Sequence, residues 1–458
     1  MIEISLNKVA EIVGGELTVI DSNEMISEIS TDSRTLNGGS LFVALQGENF
    51  DGHRFASVAE ENGASALLVN RQLELSIPQV IVEDTLLALG RLGQWVKDQT
   101  APITLALTGS CGKTTVKEMV AAILSRKAQT LATLGNFNND IGVPLTLLRL
   151  TPQDHFAVIE LGANHIGEID YTANLTAPSV ALINNLAAAH LEGFGSLEGV
   201  AKAKGEIFKG LNNGDTAIYN LESHNVDFWQ QDLAGKKVMT FSLENNQADL
   251  FGSDIQLNSQ GCARFVLNSK QGSQVIQLVV PGKHNVANAV AAAAMSLAVG
   301  ASLKDIAQGL EEMAMVKGRV EVMQLTDTLR VIDDTYNASV AAVKAAADLL
   351  SSYKGKKVFI VGDMAELGDE SLAMHQEVAD YIKTMNIDNV LTFGEYSEVI
   401  SRDNGGLHFT DKSKLIAAVS DLIENNNKDN RSEITVLVKG ARSMKMEEII
   451  TAIKGHIQ

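Results

Sequence analysis

The chain has 458 residues, which is enough for about three domains that each bury their own core. Its 37 basic and 56 acidic side chains give a net charge of -19, which argues against nucleic acid or an anionic membrane as a partner. Two cysteines cannot form a disulfide framework, and the most apolar stretch is too short to span a bilayer. The composition therefore predicts a cytoplasmic protein without membrane insertion, and we expect a monomer.

The first part of the chain mixes short apolar strands with helical segments, a pattern typical of a small α/β domain. Strands are predicted at SLFVAL, SALLVN and PQVIVED. A helical stretch, TLLALGRLGQWVKDQ, then leads to Pro102 and a new strand. We therefore place the first domain at residues 1–84 and begin the second at residue 85.

In the second domain, residues 85–316, apolar strands alternate with helical patterns. Continuous apolar strands indicate a mostly parallel sheet covered on both faces. They are predicted at ITLALTG, FAVIELG, SVALINN, TAIYNL and KVMTFS. Residues 250–280 alternate instead and predict an antiparallel appendage, followed by a helix from about Asn285 to Val299.

The third domain, residues 317–458, repeats the alternation of strands and helices. Its strands are predicted at RVIDDTY, KVFIVGD, NVLTFG and ITVLVKG. This pattern indicates an independent Rossmann-like sheet. The predicted fold class is therefore α/β, in three domains.

The strongest chemical signal is a glycine-containing loop between an apolar strand and an amphipathic helix. Glycines let backbone N–H groups wrap around phosphates, and the helix N-terminus adds positive potential. A lysine here reaches the β- and γ-phosphates, and the next hydroxyl binds Mg²⁺. The strict Walker A pattern has a glycine where this chain has Leu107, so the loop is a shortened variant of a P-loop. The predicted ATP-binding residues of this loop are Gly109, Ser110, Cys111, Gly112, Lys113, Thr114 and Thr115.

Two further side chains follow apolar strands of the second domain. Glu160 ends FAVIE, and His190 follows SVALINN. Parallel strands present functional groups at their carboxyl ends, beside the phosphate loop. A carboxylate there is a suitable ligand for Mg²⁺. We expect the two strands to be adjacent, with His190 as a second metal ligand.

A rival interpretation rests on the segment Gly193-x-Gly195-x-x-x-Gly199, which loosely resembles a dinucleotide-binding fingerprint. It would indicate an oxidoreductase. Its third glycine comes one position late, and a lone glycine triplet is weak evidence.

Several segments together resemble the Mur ligases over essentially the whole chain. They are TGSCGKTT, ELGANHIGEI, NNLAAAHLEGFGSLEGVAKAKGEIF, PGKHNVANAVAAAAM and DDTYNAS. Folylpolyglutamate synthases share the shortened loop and the domain plan. They do not normally carry a first domain with Thr31-Asp32-Ser33-Arg34, LFVALQG and Phe50-Asp51-Gly52-His53.

The resemblance implies two Mg²⁺ sites beside the ATP phosphates. Thr114 and Glu160 would bind one ion, and His190 the second. In this family the helix after the histidine carries a lysine as a carbamate, whose oxygens help to hold the second metal. Aligning VAKAKGEIF with that helix selects Lys204 rather than Lys202. The catalytic residues implied by the resemblance are Lys113, Glu160, His190 and Lys204.

The resemblance also implies contacts with the rest of the nucleotide and with the substrates. Asn288 would contact the adenine and Asn285 its surroundings, while Arg319 and Asp334 would reach the nucleotide when the third domain closes. The first domain would hold the UDP end of the acceptor, the loop GNFNNDIG its sugar-peptide, and the third domain the amine. The substrate-binding residues implied in this way are Ser33, Arg34, Asn138, Asn139, Tyr336 and Asn337.

The implied reaction joins D-alanyl-D-alanine to UDP-N-acetylmuramoyl-tripeptide through an acyl-phosphate, giving ADP and phosphate in peptidoglycan precursor synthesis. One alternative is a Mur-type ligase that adds a single amino acid, although the version adding diaminopimelate or lysine usually has a DYAHTP-like stretch in place of DDTYNA. The other alternative is a non-catalytic P-loop regulator, which needs no metal ligands at these positions. The third residue of the acceptor peptide stays open.

Overall fold

A computed structural model describes residues 1–19, 22, 24–47, 50–187, 191–223, 225–243, 245–429 and 433–457. It consists of three successive α/β units, each with its own main sheet. The predicted three-domain α/β fold is therefore confirmed. Within these residues, no helix is both long enough and apolar enough to cross a membrane.

The first unit is a small sheet with helices on both faces. Its elements are β1 (Ile4–Ser5), α1 (Leu6–Val13), β2 (Glu16–Leu17), β3 (Met25–Ile26), β4 (Glu28–Ser30), β5 (Ser40–Val43), α2 (Ala56–Glu61), β6 (Ala64–Val69), β7 (Gln79–Ile81) and α3 (Thr85–Thr100). The strand order is β2-β7-β6-β5-β4, with β2 antiparallel at one edge. The side chain of Asp84 caps the first turn of α3, so this helix begins at the predicted start of the second domain.

The central unit contains the largest sheet. Its strands are β8 (Ile103–Thr108), β9 (Thr130–Ala132), β10 (Phe156–Glu160), β11 (Val180–Ile183), β12 (Thr216–Asn220), β13 (Lys237–Ser242), β14 (Leu250–Leu257), β15 (Cys262–Ser269) and β16 (Gly272–Pro281). Its helices are α4 (Lys113–Ser125), α5 (Gly142–Leu148), α6 (Glu168–Thr176), α7 (Leu191–Phe194), α8 (Leu197–Gly205), α9 (Gln230–Leu233), α10 (His284–Ala298) and α11 (Leu303–Glu312).

The strand order of this sheet is β16-β15-β14-β13-β12-β11-β8-β10-β9. Strands from β9 to β14 are parallel, and the predicted antiparallel strands β14 to β16 extend the same sheet. β8 lies between β10 and β11, so the expectation that the strands before Glu160 and His190 are adjacent is wrong. The chain order of parallel strands does not determine their order in the sheet, because each crossover can pass over a neighbouring strand.

The third unit is a six-stranded sheet of order β17-β18-β22-β19-β20-β21, with only β17 antiparallel in the described part. Its strands are β17 (Glu321–Gln324), β18 (Leu329–Asp334), β19 (Lys356–Gly362), β20 (Asn389–Phe393), β21 (Leu407–Phe409) and β22 (Ile434–Lys439). Its helices are α12 (Val340–Ser352), α13 (Ser371–Ile382), α14 (Glu398–Asp403), α15 (Lys412–Asp429) and α16 (Glu447–Ile457).

One continuous hydrophobic core joins the first two units. It runs from the β5 and β6 residues Leu41 and Leu68, through Leu89 and Leu92 of α3, to Val143 of α5. A second core covers the other face of the central sheet, where α4, α10 and α11 pack. The buried side chains of the third unit form separate cores on the two faces of its own sheet. The first two units therefore pack as one body.

The predicted apolar face of α4 is confirmed, because its five members are fully buried. They are Val116, Met119, Val120, Ile123 and Leu124. α11 crosses this face at Gly309, where a β-carbon would lie 2.6 Å from the Cα atom of Ile123. A glycine at this position therefore sets the close approach of α11 to α4.

We predict that Gly309→Ala destabilises the central unit. Alanine favours a helix by up to about 1 kcal/mol over glycine, but overpacking against the α4 backbone costs about 1–3 kcal/mol. The thermal unfolding midpoint should fall by about 2–6 °C in calorimetry. The matched control is Gly455→Ala in α16, where no atom lies within 4 Å of the added β-carbon, and its midpoint should hold or rise. Equal midpoints for both variants would contradict this packing argument.

Candidate active site

The phosphate loop lies at the carboxyl edge of the central sheet, between β8 and α4. Gly112 has a φ of 77°, in the left-handed region that favours glycine. A β-carbon there would lie 2.5 Å from Asn288 Oδ1 and 2.8 Å from Asn184 Nδ2. Both the backbone conformation and the surrounding space therefore require glycine at this position.

Two asparagines that follow β11 hold the loop. Asn185 Oδ1 accepts from the Cys111 N–H at 2.8 Å, while the Nδ2 atoms of Asn184 and Asn185 donate to Cys111 O at 3.0 and 2.9 Å. The Ser110 N–H donates to Asn185 O at 3.1 Å. The amides of Ser110 and Cys111 are therefore already bonded within the protein, and their predicted contact with ATP stays a prediction.

The first turn of α4 offers amides that a phosphate can accept. The first backbone bond of this helix runs from Val116 N to Gly112 O at 2.9 Å, so the N–H groups of Lys113, Thr114 and Thr115 have no intrahelical acceptor. Such amides point out of the helix end and bind anions. We call the amides of this turn the phosphate cradle, and their contact with ATP stays a prediction.

Lys113 lies over the loop, with its Nζ donating to Gly109 O at 2.8 Å. Burial lowers the pKa of Lys113, and the Glu160 carboxylate opposes this shift. The ammonium and the carboxylate therefore interact, and their catalytic roles stay predictions.

Glu160 presents an unsatisfied oxygen at the end of β10. Its Oε1 accepts from Asn138 Nδ2 at 2.8 Å, whereas Oε2 is buried without a hydrogen-bond partner among the described residues. A buried carboxylate oxygen without a partner is costly, and a cation would satisfy it. Together with the Thr114 hydroxyl it offers hard oxygen ligands, so these two residues fit Mg²⁺.

Within the described residues, no three His, Cys, Asp or Glu side chains converge on one point. An ion here would therefore rely on few protein ligands, as Mg²⁺ commonly does beside nucleotide phosphates. The second predicted histidine ligand, His190, lies outside the described residues, and its role stays a prediction.

The two lysines of α8 have opposite environments. Lys204 is buried, with 1% of its surface exposed, and its Nζ lies 5.7 Å from the centre of the Phe194 ring. Burial, followed by the positive charge of Lys113, lowers the pKa of Lys204 to about 7. Lys202 is exposed, and its Nζ lies 4.9 Å from the centre of the Phe228 ring. Lys204 is therefore the buried lysine of α8, with a pKa that its surroundings lower.

Asn285 and Asn288 belong to a buried chain of amides. Asn184 Nδ2 donates to Asn288 Oδ1 at 3.0 Å, Asn288 Nδ2 to Asn285 Oδ1 at 2.8 Å, and Asn285 Nδ2 to Pro281 O at 2.6 Å. This chain ties the start of α10 to the phosphate loop. The predicted contact of Asn288 with adenine stays a prediction.

The third unit also reaches the loop. Arg319 Nη2 donates to Thr114 Oγ1 at 3.2 Å, and its guanidinium lies 3.9 Å from the centre of the Tyr336 ring. Arg319 Nε is buried without a hydrogen-bond partner among the described residues. Ser339 Oγ, which caps α12, lies 3.2 Å from Cys111 Sγ. Arg319 and Tyr336 therefore lie beside Thr114, and their contacts with substrates stay predictions.

Asp334 and Asn337 are held by a lysine that the sequence analysis missed. Lys439 Nζ pairs with Asp334 Oδ2 at 2.5 Å and donates to Asn337 O at 3.0 Å. All three residues lie at the carboxyl ends of β18 and β22, which pair in parallel. Lys439 therefore fixes the loop that carries the expected amine-binding residues.

The remaining expected substrate residues are distributed over two units. Asn138 touches Glu160, whereas Asn139 is exposed and its Oδ1 accepts from Gly142 N at 2.8 Å. Ser33 is buried, and the exposed Arg34 binds Asp32 through Nε at 2.9 Å and Nη2 at 2.7 Å. In the described part of the chain, neither Ser33 nor Arg34 is hydrogen-bonded to the phosphate loop.

Sequence models of three Mur ligase domains match the chain. The Mur ligase middle domain matches residues 107–296, the glutamate ligase domain residues 318–442, and the family catalytic domain residues 25–91. A UDP-N-acetylmuramoyl-tripeptide–D-alanyl-D-alanine ligase of Escherichia coli K12 is 49% identical over 455 residues, 99% of each chain. This chain belongs to the Mur ligase family.

Solved Mur ligase structures share the complete architecture. A crystal structure of MurF from Acinetobacter baumannii is 36% identical, with a TM-score of 0.94 over 99% of each chain. MurF ligase from Thermotoga maritima in complex with ADP is 25% identical, with a TM-score of 0.82 over 94% of this chain and 97% of that chain. The family fold therefore extends across all three units.

We predict that Asn185→Leu weakens ATP binding by this Mur ligase by about 5- to 150-fold. The variant loses two side-chain bonds to Cys111, each contributing about 0.5–1.5 kcal/mol. The matched control is Asn404→Leu in the third unit, which loses two bonds to backbone carbonyls. Titration calorimetry with ATP should separate the two variants. Unchanged ATP affinity of the Asn185→Leu variant would contradict the conclusion that Asn185 holds the phosphate loop in its binding conformation.

Proposed function

We propose that this Mur ligase uses ATP to join D-alanyl-D-alanine to UDP-N-acetylmuramoyl-tripeptide in peptidoglycan precursor synthesis. The observation that carries the proposal is the 49% identity, over 99% of both chains, to the Escherichia coli ligase of that specificity. A relative from Haemophilus influenzae with the same name is 47% identical over the full length of both chains. We place the reaction in the cytoplasm, where ATP and UDP-linked precursors are present, and propose that one chain carries a whole site.

ATP binding is supported by the phosphate cradle and by the ADP complex of the Thermotoga maritima relative. Lys113 and the first-turn amides of α4 hold the phosphates and neutralise charge on the transferred phosphoryl group. Thr114 and Glu160 are proposed to hold one Mg²⁺, and His190 with Lys204 a second. When bound, these ions supply further positive charge at the phosphates.

The acceptor and the amine are proposed to meet at the carboxyl edge of the central sheet. The first unit holds the UDP end through Ser33 and Arg34, while Asn138 and Asn139 position the peptide. Its carboxylate oxygen attacks the γ-phosphorus, the bond to the β-phosphate oxygen breaks, and ADP leaves. Holding both reactants in one geometry makes each step effectively unimolecular.

We propose that the third unit completes the site next to the phosphate loop. Tyr336 and Asn337 position the dipeptide so that its amine nitrogen attacks the acyl carbon, loses a proton, and displaces inorganic phosphate. An acyl-phosphate that is exposed to water would hydrolyse. The contacts of Arg319 and Ser339 with the loop are proposed to exclude water from the site. Lys439 holds the Asn337 carbonyl and is thereby proposed to position the residues that bind the amine.

Lys204 is proposed to carry a carbamate. The neutral amine attacks the carbon of carbon dioxide and releases a proton, leaving an anion that can bind a metal. An ordinary lysine has a pKa of about 10.4 and is almost fully protonated at neutral pH. With its pKa lowered to about 7 by burial, Lys204 offers a substantial neutral fraction under those conditions.

The first test is phosphate release over a panel of UDP-muramyl-peptides and amines. We expect the fastest release with the tripeptide and D-alanyl-D-alanine together. The rates of phosphate release with a tripeptide that ends in diaminopimelate and with one that ends in lysine identify the preferred acceptor. Faster release with a single amino acid would favour another Mur-type ligase, and no acceptor-stimulated release would favour a P-loop regulator.

The second test compares Lys204→Ala with Lys202→Ala, two residues apart on the same helix. We expect Lys204→Ala to lose nearly all ligase activity, because the anionic ligand cannot form. Bicarbonate or a short-chain carboxylic acid should restore part of the activity by occupying the same position. Lys202→Ala should be far milder, since its side chain is exposed about 200° around the helix. Near-parent turnover of Lys204→Ala would show that the wrong lysine was selected.

A further inference from the structure

Lys117 is a fully buried lysine to which the proposed reaction gives no role. It lies in α4 four residues after Lys113, so the two side chains leave one face of the helix about one turn apart. Its Nζ donates to Thr133 O at 2.6 Å and pairs with Glu118 Oε1 at 2.7 Å. Because a buried ammonium is costly unless it is paired, these bonds hold Lys117 in one position.

Thr133, the partner of Lys117, connects the edge of the central sheet to Glu160. It directly follows β9 and is 1% exposed. Its N–H donates to Val158 O at 3.1 Å, and its Oγ1 accepts from Glu160 N at 3.0 Å. With its carbonyl bonded to Lys117, Thr133 uses its donor, its hydroxyl and its acceptor to join α4, β9 and β10.

The acceptor loop, residues 134–141, starts directly after Thr133. Its Asn138 contacts the carboxyl end of β10. Asn138 Nδ2 donates to Glu160 Oε1 at 2.8 Å, and Asn138 O accepts from Gly162 N at 2.7 Å. The loop is thus tied to Glu160 at its beginning through Thr133 and near its middle through Asn138. Lys117 adds a polar bond from α4, the helix proposed to bind the phosphates, to this assembly, beside the apolar packing of α4 on β10.

We infer that Lys117 is a positioning residue that sets Glu160 and the acceptor loop relative to the phosphate loop, an inference that rests on the proposed function. The phosphate loop itself is held separately by Asn184 and Asn185. Loss of Lys117 therefore leaves the α4 amides and Lys113 in place to bind ATP, whereas Thr133 and the acceptor loop shift and Glu160 is displaced slightly, which affects the reaction rate more than the affinity for ATP. A misplacement of about 1 Å between reacting groups costs up to about a hundredfold in rate.

The test is steady-state kinetics of Lys117→Met, which keeps the length of the side chain without the charge. We expect kcat to fall at least about tenfold and the KM for the UDP-tripeptide to rise about fivefold, with the KM for ATP within about twofold. The matched control is Lys236→Met, because Lys236 Nζ also donates to a backbone carbonyl of the central unit, Leu211 O, at 2.7 Å. All three constants of that variant should stay within about twofold of the parent.

A second pair of variants decides the question if Lys117→Met does not fold. Thr133→Val removes the hydroxyl bonded to Glu160 N and should show the same split between the two KM values, whereas Thr133→Ser keeps the hydroxyl and should resemble the parent. The inference is overturned if Lys117→Met behaves like Lys236→Met, if only the KM for ATP rises, or if Thr133→Val matches Thr133→Ser. A parent enzyme without tripeptide-dependent phosphate release would instead contradict the proposed function.

Discussion

The site depends on one clamped residue, Cys111, whose N–H and C=O are both held. Two amide donors from the end of β11 hold the carbonyl of Cys111, and one amide acceptor holds its N–H. In a planar trans peptide, the C=O and the next N–H point in opposite directions, so fixing Cys111 O also directs the N–H of Gly112. The loop is therefore oriented before any phosphate binds, and little reorganisation is required when charge moves.

The clamp of Asn184 and Asn185 on Cys111 is stable because its two sides lie on adjacent strands of the central sheet. β8 carries the loop and β11 carries the clamping asparagines, and the two strands are hydrogen-bonded neighbours in the sheet. Asn184 extends the same network to Asn288 and the start of α10. The sheet register thus sets the geometry of the phosphate cradle, and each further contact, from Arg319 to Ser339, is made to an already rigid loop.

The electrostatics of the site contrast with those of the whole chain. The protein carries a net charge of -19, yet Lys113 interacts with the Glu160 carboxylate, and the cations Arg319 and Lys204 both lie close enough to Lys113 to lower its pKa or to have their own lowered by it. A locally positive pocket in an acidic protein is consistent with two anionic substrates. Burial, followed by the positive charge of Lys113, lowers the pKa of Lys204, so the same buried position suits the proposed carbamate chemistry.

Local patterns were sufficient to predict the loop between β8 and α4, the buried face of α4 and most strands, because each depends on residues close together in the chain. The position of β8 between β10 and β11 was not predicted, since sheet order is a property of the crossovers. Asn185, Lys439 and Lys117 were missed for a related reason. Asn185 bonds to Cys111 and Lys439 to Asp334 across 74 and 105 residues. The role of His190 stays a prediction.

The shared core of the first two units has a consequence for substrate length. Because Leu41, Leu89 and Val143 belong to one hydrophobic cluster, the two units cannot separate without exposing apolar surface to water. If the UDP end is held on the first unit and the reacting carboxylate lies beside Glu160 on the second, as proposed, the span between them is constant. Under that proposal the rigid pair of units would act as a ruler, which admits a peptide of one length and leaves the reactive end of shorter or longer precursors out of reach.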